Sequence, residues 1–210
     1  PHIKVIGVEP AGAACMKASL EKGEVVTLPH VNTIADGTAV QTPGSHIFPY
    51  IQENLDGIIT IEDDELIVAF LDMVENHKMI VENSGLLTVA ALRHLDFKNK
   101  KVVSILSGGN MDVITMSSVV QHGLIQRDRI FTVSVLIPDK PGELVRVASI
   151  IAENQGNVIK LDHNQFVSTN RNAAVELKIT LEAFGTDHKN QIVKALETAG
   201  CRPKVIRASL

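Results

Sequence analysis

Hydrophobic positions along this chain follow two different rhythms. Before Gln121, short apolar runs alternate with helical stretches. Ile3 to Val8 is a compact apolar run stopped by Glu9-Pro10, the pattern of a buried strand. Ala11 to Leu20, rich in Ala, Met and Leu and ending near Gly23, predicts a helix. Ile58 to Ile61 predicts a second strand. The acidic stretch Glu62-Asp63-Asp64-Glu65 then suits the positive end of a helix dipole, for a helix reaching about Asn76. Gly85 to Leu95 predicts another helix, and Lys101 to Leu106 a third strand closed by Gly108-Gly109. Strands alternating with helices predict a mainly parallel sheet covered on both faces.

Gln121 to Arg129 breaks that rhythm, with His122-Gly123 and the polar run Gln126 to Arg129. The expected division is residues 1–126 and 127–210. Beyond it, Phe131 to Ile137 alternates with period two, as a strand packed on one face does. Pro138 to Gly142 predicts a turn, with Pro141 opening a helix. Leu144, Val147, Ala148, Ile151 and Ala152 share one face of that helix, which Gly156-Asn157 ends. Asn157 to Ser168 and Ala173 to Leu181 predict two strands joined by a hairpin-like loop, Thr169 to Asn172. Asp187 begins a second amphipathic helix carrying Ile192, Ala195, Leu196 and Ala199 and stopped by Gly200. Lys204 to Arg207 is the last strand. The order βαββαβ is ferredoxin-like.

Composition narrows the partners. The 210 residues suit one or two domains, and a hydrophobic share of 45% with 21% charged residues describes a packed chain rather than a disordered one. A formal charge of -4, no basic stripe, and aromatics limited to six Phe and one Tyr argue against nucleic acid as partner. No apolar run has the length to cross a membrane, and no signal peptide precedes the first strand. Cys15 and Cys201 form no metal or redox pattern, which suits a reducing, cytoplasmic setting. The eight histidines are scattered, none at a metal-ligand spacing.

Four segments carry a resemblance: Gly7-Val8-Glu9-Pro10, Thr33-Ile34-Ala35-Asp36-Gly37, Val81-Glu82 and Ser107-Gly108-Gly109-Asn110. In this order they resemble the end of the catalytic domain in the serine/threonine dehydratase family, whose members are fold-type II pyridoxal-phosphate (PLP) enzymes. Ile137-Pro138-Asp139-Lys140-Pro141-Gly142-Glu143-Leu144, within the βαββαβ order, resembles an ACT domain. Such modules bind amino acids at paired domain interfaces. The fold class this implies is α/β: the C-terminal part of a tryptophan synthase beta-like PLP domain, followed by a ferredoxin-like ACT domain.

The resemblance implies PLP as cofactor and a lyase reaction. Threonine would lose its α-proton and then water, giving 2-oxobutanoate and ammonia; serine would give pyruvate. Ser107 matches the family's serine at the pyridine nitrogen, where a neutral hydroxyl favours elimination over transamination. Gly108 and Gly37 match cofactor-side glycines, Glu82 an acidic residue near the ring, and Asp36 the substrate-side loop. Glu9, with the Ala13 carbonyl, matches a cation site of some relatives, but Cys15 stands where they carry a carboxylate. A thiol is a poor ligand for hard cations. Asn83 stands where many relatives have proline.

In the ACT part, Asp139, Gly142, Glu143, Leu144 and Asn157 are the expected ligand residues. Unpaired N–H groups at the helix start would receive a ligand carboxylate. None of Lys4, Lys17, Lys22 or Lys78 has a setting that resembles the family's Schiff-base lysine, so no catalytic residue is expected in this chain. It reads as a fragment, inactive alone, of an allosteric homodimer or homotetramer of isoleucine biosynthesis. Isoleucine or valine is the expected effector. Serine racemase, serine dehydratase or a non-catalytic amino-acid sensor remain open on the same residues.

Overall fold

The computed structural model describes residues 3–165, 175–206 and 208. They form two compact units, Pro1–Val120 and Gln121–Leu210.

In the first unit, strands β1 (Ile6–Pro10) and β2 (Gly57–Ile61) pair in parallel, with Val8 opposite Ile59. β1 therefore starts later than its apolar run and takes in Glu9 and Pro10, because the ladder extends only where β2 lies alongside. A single 3-10 turn, Ala11–Ala13, leads into helix α1 (Cys15–Lys22), which Gly23 ends in the left-handed region at φ 79°. Helix α2 (Phe48–Asn54) has no counterpart in the expected elements. Helix α3 (Asp63–Asp72) begins with a capping box between Glu62 and Glu65 and widens into a π turn over Met73–His77. Helix α4 (Asn83–Ala90) continues as a 3-10 turn to His94. Ile61, Leu66, Phe70 and Leu86 are fully buried and centre this unit's core.

One expectation fails in this region. Lys101 to Leu106 is not a strand. Val103 is 89% and Ile105 73% exposed, and the segment is held by Thr88 donating to the Ile105 carbonyl at 3.0 Å. Its β-branched residues favour an extended backbone, but a ladder needs a neighbouring strand. Among the described residues of this unit, β1 and β2 pair only with each other. Helix α5 (Val113–Gln126) runs through His122-Gly123 and ends within the stretch Gln121 to Arg129, while the units divide at Val120/Gln121. One glycine costs a helix about 1 kcal/mol, too little to stop it. Asp128, at φ 54°, follows its end.

The second unit runs β3 (Ile130–Ile137), α6 (Glu143–Glu153), β4 (Asn157–Asn164), β5 (Val175–Glu182), α7 (Thr186–Thr198) and β6 (Lys204–Ile206). The strands form an antiparallel sheet in the order β4-β5-β3-β6, which is ferredoxin-like. Val133, Val135, Leu177 and Ile179 pack against Val147, Ile151, Ile192 and Leu196.

β3 is buried on its expected face and partly on the other, where Leu136 stays exposed. Thr132 and Ser134 are also covered, and Thr132 lies between Thr180 of β5 and Ile206 of β6. The Thr132 and Thr180 hydroxyls meet at 2.9 Å. Pro141 stays in the turn, and Gly142, at φ 92°, caps α6. The buried face of α6 is Val147 and Ile151, while Leu144, Ala148 and Ala152 are exposed. The expected loop Thr169 to Asn172 lies outside the described residues.

Candidate functional site

A cleft of about 500 Å³ lies in the first unit. Three segments wall it: the loop bearing Thr33, Ile34 and Asp36, the start of α4 at Glu82 and Asn83, and Asn110 to Asp112 with the first turns of α5. Each wall is fixed by identifiable bonds. Asp63, the first residue of α3, accepts from the Thr33 hydroxyl at 2.5 Å and from the Ile34 N–H at 3.0 Å. Asn83 donates its amide to the Ile34 carbonyl at 2.9 Å. The Asp36 carboxylate accepts from the Gly37 N–H at 2.9 Å and is exposed. Asp112 opens α5 by accepting from the N–H groups of Ile114 and Thr115 and from the Thr115 hydroxyl. The Thr115 bonds hold the Asp112 carboxyl below its usual range.

The loop Ser107 to Asn110 sits on the start of α4. The Glu82 N–H donates to the Gly108 carbonyl at 3.3 Å, and the Asn110 N–H returns a bond to the Glu82 carboxylate at 3.3 Å. Gly108 is in the left-handed region at φ 76°, and a Cβ there would lie 2.0 Å from the Glu82 carboxyl carbon. A Cβ on Gly85 would lie 1.9 Å from the Ser107 carbonyl oxygen, so α4 and this loop touch backbone to backbone. A Cβ on Gly37 would come within 2.8 Å of the Ser84 hydroxyl. Asp36, Gly37, Glu82 and Gly108 are thus brought together. Among the described residues, the buried Asn83 Oδ1 and Ser84 Oγ have no hydrogen-bond partner.

Ser107 does not join the lining of this cleft. Its side chain is exposed and makes no hydrogen bond among the described residues. No lysine lines the cleft among the described residues. The expected residues also omit Ser84, Asn110, Asp112 and the α5 positions. Asp112, followed by a helix-forming run, was the available signal, as an N-cap.

Glu9 has a different task from the one expected. Its carboxylate accepts from the N–H groups of Met16 at 2.8 Å and Lys17 at 2.9 Å, and so caps α1. Burial, and the Glu9 carboxylate beside it, push the Cys15 thiol above its usual pKa, which keeps it protonated. Among the described residues no group of three His, Cys, Asp or Glu could hold a metal ion.

In the second unit, Asp139, Gly142, Glu143 and Leu144 share one turn. The Glu143 carboxylate is taken by Arg146, at 3.1 and 2.8 Å. Arg146 also donates to the Ala199 carbonyl at 3.1 Å. The N–H groups of Leu144 and Val145 meet no acceptor among the described residues. Asn157 is not in this turn. It begins β4, donating to Glu182 at 3.2 Å, beyond the far end of the 11-residue α6. A helix of that length spans about 16 Å, so one chain does not bring Asn157 to the turn.

The chain's likenesses agree with the first unit's geometry. The L-threonine ammonia-lyase of Geobacter sulfurreducens is 36% identical over 209 residues, 99% of this chain and 52% of its own length. The L-threonine ammonia-lyase of Thermotoga maritima is 31% identical over 98% of this chain and 52% of its own. The chain thus spans about half the length of these curated relatives. A solved structure, threonine deaminase isoform 2 of Solanum lycopersicum in its processed form, is 36% identical with a TM-score of 0.52. That match covers 57% of this chain and 36% of the other. A family model described as pyridoxal-phosphate dependent enzyme matches residues 1–108, the part that holds β1 to α4 and the Glu82–Gly108 contact. Over half its length, then, this chain is a member of the pyridoxal-phosphate dependent enzymes.

Proposed function

We propose that this chain is part of an L-threonine ammonia-lyase converting threonine to 2-oxobutanoate and ammonia, with residues 127–210 as an ACT regulatory domain. One observation carries the reading: the likeness to the Geobacter sulfurreducens ammonia-lyase runs through both units, over 99% of the chain.

The residues present suit PLP. A neutral hydroxyl at Ser107, without a protein partner, is the right chemistry for a pyridine nitrogen. At Gly37 and Gly108 a Cβ would meet the Ser84 hydroxyl at 2.8 Å and the Glu82 carboxyl carbon at 2.0 Å, so glycine lets both loops lie against the start of α4. When bound, PLP supplies the electron sink for the carbanion at the substrate Cα. Ser107 would share a hydrogen bond with the ring nitrogen, and Gly37 and Gly108 would let their loops close on Ser84 and Glu82 beside the ring. Glu82, steadied by the Asn110 N–H, would sit at the ring edge, and Asp36 would face the substrate. Glu9 takes no part, being committed to α1.

In the ACT domain, the free N–H groups of Leu144 and Val145 support capture of an effector carboxylate, with isoleucine or valine as effector. Asp139, Gly142, Glu143 and Leu144 shape that turn. Asn157 would reach it from a second copy, in a homodimer or homotetramer. A cytoplasmic enzyme of isoleucine biosynthesis completes the reading.

The test is 2-oxobutanoate formation by the full-length, PLP-loaded protein and its Ser107→Ala variant. Loss of one net hydrogen bond to the ring nitrogen predicts a fall of about two- to tenfold. It should come with a shift of the cofactor's visible absorbance. Unchanged turnover removes Ser107 from the site. D-serine accumulating from L-serine without pyruvate would point to a racemase. Failure to take up PLP would leave only an amino-acid sensor.

A further inference from the structure

Asn83 sits at the first position of α4. Proline suits that position: its φ is preset for a helix, and the N–H it lacks has no intrahelical acceptor there. Asparagine has neither advantage. Here it is also buried, at 4% exposure, with Oδ1 unpartnered, and an unpaired buried acceptor is destabilising. What the side chain gains is one bond, from its amide to the Ile34 carbonyl at 2.9 Å. Proline cannot make it. On the other side of the same peptide segment, the Ile34 N–H and the Thr33 hydroxyl are held by Asp63. The loop carrying Asp36 and Gly37 is therefore pinned from two helices, α3 through Asp63 and α4 through Asn83. Asn83 also lines the cleft beside Asp36.

We propose that Asn83 is a positioning residue: its amide latches the Thr33–Thr38 loop to α4 and holds Asp36 and Gly37 where the amino-acid substrate is received. This rests on the ammonia-lyase reading above. Asn83 gives up local stability for a fixed loop, so stability and substrate binding move in opposite directions when it is replaced by proline.

Two variants of the full-length, PLP-loaded protein separate this from a plain packing role. Asn83→Pro removes the latch together with the orphaned oxygen, and its unfolding midpoint is expected at or above that of the unaltered protein. Asn83→Asp keeps the shape but loses the donor and buries a charge, so its midpoint is expected to fall. Despite opposite stabilities, both share one functional change. The KM for threonine rises about two- to tenfold, the worth of one net hydrogen bond, and kcat changes less. Both also exchange the Ala35, Thr38 and Ala39 amide protons faster, a readout independent of turnover. An unaltered KM in Asn83→Pro overturns the proposal, as does unaltered exchange in this loop. So does a KM that follows stability, rising in Asn83→Asp alone. If the unaltered protein forms no 2-oxobutanoate, the ammonia-lyase reading itself fails and takes the substrate role with it. Normal turnover with an unmoved KM rejects Asn83 alone.

Discussion

Gly108 shows how much rests on single atoms in this site. It combines a left-handed φ of 76° with a Glu82 carboxyl group filling the space of a side chain. Gly108→Ala meets both the backbone penalty and the clash, and either Glu82 or the loop must move. The expected cost is about 1–3 kcal/mol, with larger values where Glu82 cannot retreat. Denaturant unfolding of the first unit measures it, and an unmoved midpoint would mean that Glu82 swings aside freely. At this scale the sequence was legible in part. Asp36, Gly37, Glu82 and Gly108, which the structure brings together, could be singled out through the resemblance that their segments carry in order. Ser84 and the Asn83 latch could not, because a buried hydroxyl or amide looks like any surface one until its neighbours are known. Glu9 was misread for the same reason: a carboxylate suited to a cation also suits a helix N-terminus, and position alone decides between them.

Elements were legible where their own pattern sufficed and illegible where a distant partner decided. The ferredoxin-like half follows from one period-two strand, further strand and turn signals and two amphipathic helices, with each described strand finding a ladder inside the same unit. Lys101 to Leu106 has equal strand character but no partner strand among the described residues, so it stays irregular. His122-Gly123 resembles a break, yet α5 continues to Gln126 and the true stop is the turn at Asp128. Asp128 then anchors that turn to α7, accepting from Lys189 at 2.7 Å and from the Thr186 hydroxyl at 2.9 Å. Burial opposes ionisation of Asp128, but the bonds from Lys189 and Thr186 outweigh it and hold the carboxyl below its ordinary pKa. The sign follows. A depressed folded-state pKa stabilises the fold above the ordinary aspartate range, near pH 4, and that contribution fades as pH falls through the folded value. Asp128→Asn should therefore lower the melting midpoint at pH 7 and converge on the unaltered protein in acid. Parallel pH profiles of the two would show that the clamp carries no linked proton.

At the scale of the whole molecule, the two units close separate cores. Phe70 and Leu86 belong to one, Leu177 and Ile192 to the other, and no buried residue is shared. Separate cores predict separately addressable unfolding transitions. Leu177 and Phe70 are both 0% exposed, so truncating either to alanine should cost about 2–5 kcal/mol and mark its own unit's transition. Those markers give the regulatory reading a direct test. A ligand that binds only the folded second unit stabilises it by mass action, by about 2.7 kcal/mol at a hundred times its Kd. Isoleucine or valine should thus raise the transition that Leu177→Ala lowers and leave the one marked by Phe70→Ala in place. Threonine bound with PLP should do the reverse. An isoleucine shift confined to the Phe70-marked transition would move the effector into the catalytic unit and remove the turn at Gly142 from regulation. One transition lowered equally by both truncations would mean that the cores, though distinct, unfold as one.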